Sequence, residues 1–84
     1  MKHARADYND RIQDSAKLIP ENEPVFLIRG QDQVSADAVR AWAHLHRNNS
    51  GSDRVYELAM QHADLMEDWQ RTIKSKKADV PEGV

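Results

Sequence analysis

Residues 53 to 77, DRVYELAMQHADLMEDWQRTIKSKK, contain neither glycine nor proline, and this uninterrupted run restricts the possible folds more than any other feature of the chain. Ser52 stands where a hydroxyl can cap a helix that starts at Asp53. Val55, Ala59, His62, Met66, Trp69 and Ile73 then recur at steps of four and three, the spacing of one continuous helix face. Leu58 and Leu65 widen that face on one flank. The basic stretch RTIKSKK is the expected C-terminal end, where cations complement the helix dipole.

A shorter helix is expected over residues 36 to 47. Ser35 precedes it as a cap, Asp37 lies in its first turn, and Val39, Trp42, Ala43 and His46 repeat with helical spacing. NNSGS between the two is a short polar loop, so the pair forms an antiparallel hairpin. About 12 helical residues span roughly 18 Å and about 25 span roughly 37 Å. Half of the longer face therefore has no helical partner, and Met66, Trp69 and Ile73 need cover from the N-terminal third, from another copy, or from both.

PVFLIRG, residues 24 to 30, is the natural candidate for that cover. Its β-branched and aromatic residues suit a short extended segment, with a one-turn helix starting at Pro24 as the alternative. Val25 to Ile28 show no alternation, so both faces are expected to be buried. No second strand pattern exists to pair with the segment, which reads as an apolar plug. Phe26 and Leu27 accordingly join Met66, Trp69 and Ile73 in the expected oligomer interface.

Composition narrows the rest. A chain of 84 residues with 39% hydrophobic content and no cysteine has a thin core and neither disulfides nor thiolate metal sites. Regular helix packing and oligomerisation are the stabilisers left. The expected fold is mainly α: one small helical domain over residues 1 to 77, built as a hairpin of unequal helices with an ordered N-terminal arm and the apolar segment, assembled as a homo-oligomer, with a flexible tail at 78 to 84. No secretory signal and no apolar run of membrane-spanning length is visible, which points to the cytoplasm. A net charge of −2 with acids and bases interspersed argues against a nucleic-acid packager.

Catalytic signatures are absent. His44 and His46 are two apart and point about 200° away from each other on a helix, so they cannot chelate one ion together. Asp64, Glu67 and Asp68 read as a solvated face, and no nucleophile elbow, phosphate loop or zinc pattern occurs. The chain is therefore read as a non-enzyme without metal or cofactor. What remains is HARADYNDRIQD with RGQDQ. Tyr8 offers a ring for a base, Arg5, Arg11 and Arg29 offer forks for phosphate or carboxylate, and Gln31 and Asp32 offer groups for polar edges. The alternative is that these arginines pair with Asp7, Asp10, Asp14 or Asp32 and fasten the arm.

DYNDRIQD, IPENEPVFLIRGQD, AVRAWA and HADLMEDWQ resemble segments of a family of short uncharacterised bacteriophage and prophage proteins, over a span from about Arg5 to Gln70. Tyr8, Gln13, Asp14, Glu23, Pro24, Phe26, Arg29, Gln31, Asp32 and Trp42 carry the resemblance. Ser15, and SAD at 35 to 37, stand where that pattern has proline, which bears on turn geometry. The family brings a context and no activity. By organisation only, the chain is similar to small helical phage anti-defence proteins that act as cyclic nucleotide sponges. The expected function is sequestration of a small anionic ligand, a linear or cyclic nucleotide signal, in pockets between subunits in the host cytoplasm. The alternatives are an interaction module that inhibits a host protein and a structural part in virion assembly.

Overall fold

The structure is a computed structural model that describes residues 2–81. Its elements in chain order are β1 (Lys2–His3), a 3-10 helix (Ala6–Asp10), β2 (Pro24–Val25), α1 (Ser35–Asn48) and α2 (Asp53–Thr72). Two compact units result, Met1–Leu27 with Asp79–Val84, and Ile28–Ala78. Among the described residues no helix is long and apolar enough to cross a membrane.

In the first unit the expected plug is extended, and it has a partner. β2 pairs in parallel with β1, Lys2 opposite Pro24 and His3 opposite Val25, and the Lys2 amide donates to the Glu23 carbonyl at 2.8 Å. Two residues of strand are too short to show a pattern in sequence. The expectation that both faces of this segment are buried is corrected: Phe26 is 72% exposed. One side of its ring is nevertheless used, stacking on His3 at 5.0 Å between centroids. Further along, both carboxylate oxygens of Asp14 accept backbone amides, from Leu18 at 3.2 Å and Ile19 at 2.9 Å, and so fold the turn that follows. Of the expected C-terminal tail, residues 82–84 lie outside the described residues. Asp79 is held, its carbonyl accepting from Arg5 at 3.4 Å.

The second unit is the expected hairpin. Ser52 caps α2 by accepting the Val55 amide at 3.1 Å. Ala43 and Ala63 are completely buried and Ala36 nearly so, so the two helices meet through small side chains that let their backbones approach. The face of α2 turned to α1 carries Tyr56, Met60, Ala63 and Gln70, all half-buried or buried. The sequence-derived face is rotated from this by about one residue, because only Ala59 and Met66 of its members are more than marginally covered.

Both ends of the hairpin also depart from the sequence reading. Ser35 does not cap α1. It is fully buried inside the helix's first turn, and the Val34 amide is instead taken by the Asp32 carboxylate at 3.0 Å. α2 ends at Thr72 and does not run on to Lys77, despite good helix formers beyond. Lys76 leaves the helix to bridge Asp32 in parallel, its amide donating to the Gln31 carbonyl and its carbonyl accepting from the Gln33 amide, each at 2.9 Å. Tertiary hydrogen bonding here overrides propensity. With 14 residues in α1 and 20 in α2, the lengths are about 21 Å and 30 Å, so the mismatch is smaller than the sequence suggested.

The loop between the helices closes as a Schellman motif. The Gly51 amide donates to the His46 carbonyl at 2.8 Å and the Ser50 amide to the Arg47 carbonyl at 3.2 Å. The left-handed position is Ser50, with φ 66°, and not the neighbouring glycine. Gly51 is needed for space, since a Cβ there would sit 2.2 Å from His46 Nε2, and that imidazole is stacked on Trp42 at 5.0 Å. Two adjacent substitutions should therefore act in opposite directions. Ser50→Gly relieves a strained backbone and should stabilise by about 1 kcal/mol, whereas Gly51→Ala displaces His46 and should destabilise by about 1–2 kcal/mol. Urea unfolding followed by helical circular dichroism measures both.

Candidate functional site

The residues expected to bind ligand fall into two groups, each within its own unit. Arg5, Tyr8 and Arg11 are brought together in the first. Tyr8 is only 5% exposed, and the Arg5 guanidinium lies over its ring at 4.2 Å, with Arg11 at 5.8 Å and the edge of His3 at 5.0 Å. That ring is covered by the protein's own side chains, which leaves no open face for a base. Arg5 is likewise engaged. It donates to Asp7 Oδ1 at 3.1 Å and Oδ2 at 2.6 Å and to the Tyr8 hydroxyl at 3.1 Å, the bidentate geometry that Arg favours with carboxylates. Its hydrogen bond from Arg5 holds the Asp7 carboxyl below the usual aspartate range. His3 completes the cluster: Nδ1 accepts the Arg5 amide at 2.9 Å, and Nε2 lies 3.3 Å from the Leu27 carbonyl. Pairing of Arg5 with Asp7 was the structural alternative read from the sequence, and it describes what these residues do here.

The second group is Arg29, Gln31 and Asp32, on the loop that enters α1. Asp32 organises backbone: beyond its bond to the Val34 amide, its carbonyl accepts from Gln70 Nε2 at 2.7 Å. Gln70 also donates to Ser35 Oγ at 2.8 Å, and that hydroxyl donates to the Gly30 carbonyl at 3.3 Å. One glutamine from the last turns of α2 thus fixes the loop against both helices through a buried polar joint. With the loop held, Ile28, Arg29, Gly30 and Gln31 form one wall of a cavity of about 340 Å³, and His62, Leu65, Met66 and Trp69 of α2 form the other.

The chemistry of this cavity is mixed. Met66, Leu65 and Ile28 contribute apolar lining, Trp69 an aromatic ring, and Arg29 a cation. Among the described residues no carboxylate or carbonyl takes the Arg29 guanidinium, in contrast to Arg5, Arg40, Arg47, Arg54 and Arg71, which all pair with acids. Gly30 sits close enough for its missing Cβ to fall 3.9 Å from Met66 Cγ, an ordinary contact. The sequence groups Arg29 and Gln31 with Arg5, Tyr8, Arg11 and Asp32 in one expected site and assigns Met66 and Trp69 to an expected subunit interface, whereas here Arg29, Gln31, Met66 and Trp69 line one cavity with His62. No local signal in the sequence marks Arg29 as the arginine left without an acid, since Asp32 lies three residues away.

Of the remaining expected interface residues, Leu27 is marginally exposed and Ile73 largely so. Among the described residues no group of three or more histidines, cysteines, aspartates or glutamates is placed to hold a metal ion. No protein-family model, curated protein or solved structure matches this chain, so functional argument rests on the cavity itself.

Two outcomes follow from these arrangements. Gln70→Ala leaves the Asp32 carbonyl and Ser35 hydroxyl without their shared donor and should cost about 1–3 kcal/mol in urea unfolding. Asp7 should titrate below the roughly 3.9 of a free aspartate in a carboxyl NMR titration of the intact protein. Because its folded pKa is depressed, its contribution to stability is complete above the unfolded value and is lost as pH falls through the folded one. Arg5→Gln should return the Asp7 midpoint toward the free value.

Proposed function

We propose that this chain is a non-enzymatic binder that sequesters a small planar anion, of the size and chemistry of a nucleotide, in the cavity between the 28–31 loop and α2. One observation carries the reading: Arg29, whose guanidinium has no acid or carbonyl partner among the described residues, lines the same cavity as Trp69. A charged fork for phosphate and a π-face for a base are the two elements that recognition of an unpaired nucleotide requires. Gln31 and His62 supply polar groups at the rim for base or ribose edges. The volume falls at the lower end of the roughly 300–1,000 Å³ of small-molecule sites and suits one mononucleotide unit.

This moves the ligand away from the Tyr8 cluster and keeps Arg29 and Gln31 from the set read in the sequence. The nature of the signal, a cyclic nucleotide of an immune response trapped by a phage-borne protein in the cytoplasm, draws on the sequence resemblance alone. A second reading, an interaction module for a host protein, is favoured by the large apolar side chains that the hairpin leaves exposed, Trp42, Leu45 and Leu65 among them.

A thermal-shift and calorimetry panel of AMP, cyclic AMP, pyrophosphate and adenosine separates these readings. AMP and cyclic AMP should bind, with pyrophosphate and adenosine, each holding half of the recognised chemistry, weaker by tenfold or more. Arg29→Ala and Trp69→Ala should each weaken AMP at least tenfold, about 1.4 kcal/mol, while Arg11→Ala should leave it unchanged. A panel without any nucleotide bound at millimolar concentration removes the proposal and leaves the interaction module.

A further inference from the structure

The hairpin has two unlike flanks. On one, Arg40 donates to Asp64 and Glu67 at 2.9 and 2.6 Å, Arg47 meets Asp53 at 3.4 Å, and His44 and Arg47 both lie on Tyr56. At about 100° per residue, with Ala43 and Ala63 facing each other's helices, every one of these side chains falls on the same side of the pair. Trp42 and Leu45 of α1, and Leu58, Leu65 and Trp69 of α2, fall on the opposite side, continued by Ile73. Among positions 42, 45, 58, 62, 65 and 69 the one titratable side chain is His62.

We infer that this apolar flank is covered by a second copy of the same flank, and that the partner closes the open side of the Arg29–Trp69 cavity. Three observations favour a copy over another occupant. First, the six side chains are between 41% and 66% exposed, and at about 200 Å² for a large apolar side chain they offer roughly 650 Å². That meets the roughly 600 Å² per partner at which specific interfaces begin. Second, the helix positions of the flank carry no carboxylate, lysine or arginine, so a two-fold axis sets no such helix-borne charges against each other. Third, positions 58, 62, 65 and 69 repeat as a coiled-coil seam does, and an antiparallel hairpin presenting such a seam completes a four-helix arrangement with its own image.

The coupling to the cavity is geometric. Leu65 and Trp69 belong both to the flank and to the cavity lining, so a copy seated on the flank lies over the cavity's solvent side. Water is then excluded from around Arg29, and the charge there acts more strongly on an anion. This second half of the inference rests on the ligand reading above; the self-association does not.

Sedimentation equilibrium of the intact protein from 1 to 100 µM, with acrylamide quenching of tryptophan fluorescence over the same range, tests the association. The expected result is a dimer or an even-numbered assembly, with quenching falling at least twofold on association, because Trp42 and Trp69 are both on the covered flank. Leu45→Glu and Leu58→Glu lie outside the cavity and should each weaken association tenfold or more with helical circular dichroism retained. A monomer at 100 µM, or an assembly whose tryptophans stay as quenchable as in the monomer, overturns the inference. AMP titration then tests closure: the Leu45→Glu monomer should bind at least tenfold more weakly than wild type, and equal affinity overturns the closed cavity. A shielded dimer that binds no AMP upholds the self-association, and only the ligand reading fails.

Discussion

Ala36, Ala43 and Ala63 are the most deeply buried apolar side chains of the two helices, and the small size of that centre shapes the rest of the hairpin. A buried methyl contributes on the order of 0.8 kcal/mol, against about 1.5–3 kcal/mol for a fully buried Leu or Phe. Where the helices meet at alanines there is no space for a larger side chain, and Trp42, Leu45, Leu58, Leu65 and Trp69 remain exposed. Register must then be set by polar contacts. Arg40 with Asp64 and Glu67 does so midway along, and Gln70 with Ser35 and Asp32 does so at the end.

The polar joint at Gln70 has a further role, because it converts a loop into a wall. Residues 28 to 33 have no regular secondary structure apart from the single bridge at Asp32, and a free loop of that kind would not hold an arginine beside a tryptophan. Ser35 is fully buried, and its hydroxyl both receives the Gln70 amide and donates to Gly30. Removing water from such groups is costly unless every partner is present. These bonds tie the loop to α2 at Gly30, Asp32 and Ser35, next to the residues that line the open cavity.

Much of the architecture could be read from the residues, and the errors share a cause. Ser52 as a cap, the short NNSGS connection and the two helices all follow from strong local signals. The phase of the inner face did not, because pattern reading weights large apolar side chains while alanines carry little weight. In this hairpin the bulky set, His62, Leu65 and Trp69 included, marks the outer flank and the small set marks the inner one. The end of α2 was misplaced for a different reason: two backbone bonds between Lys76 and the 31–33 loop connect positions far apart in sequence, and no local propensity records them. Tyr8 and Arg5 had the right chemistry for a ligand, but their neighbours use it. Only the three-dimensional placement of Asp7 and Asp79 distinguishes an arginine that is engaged from one, Arg29, that is not.

The bridge between Asp32 and Lys76 means that the chain enters and leaves the hairpin at adjacent points. Everything from α1 through α2 is looped out from a single stem, like a bead tied on a thread. Segments with neighbouring ends can be grafted into a surface loop of another protein with little disturbance to either. The hairpin thus has the neighbouring ends that such a graft requires.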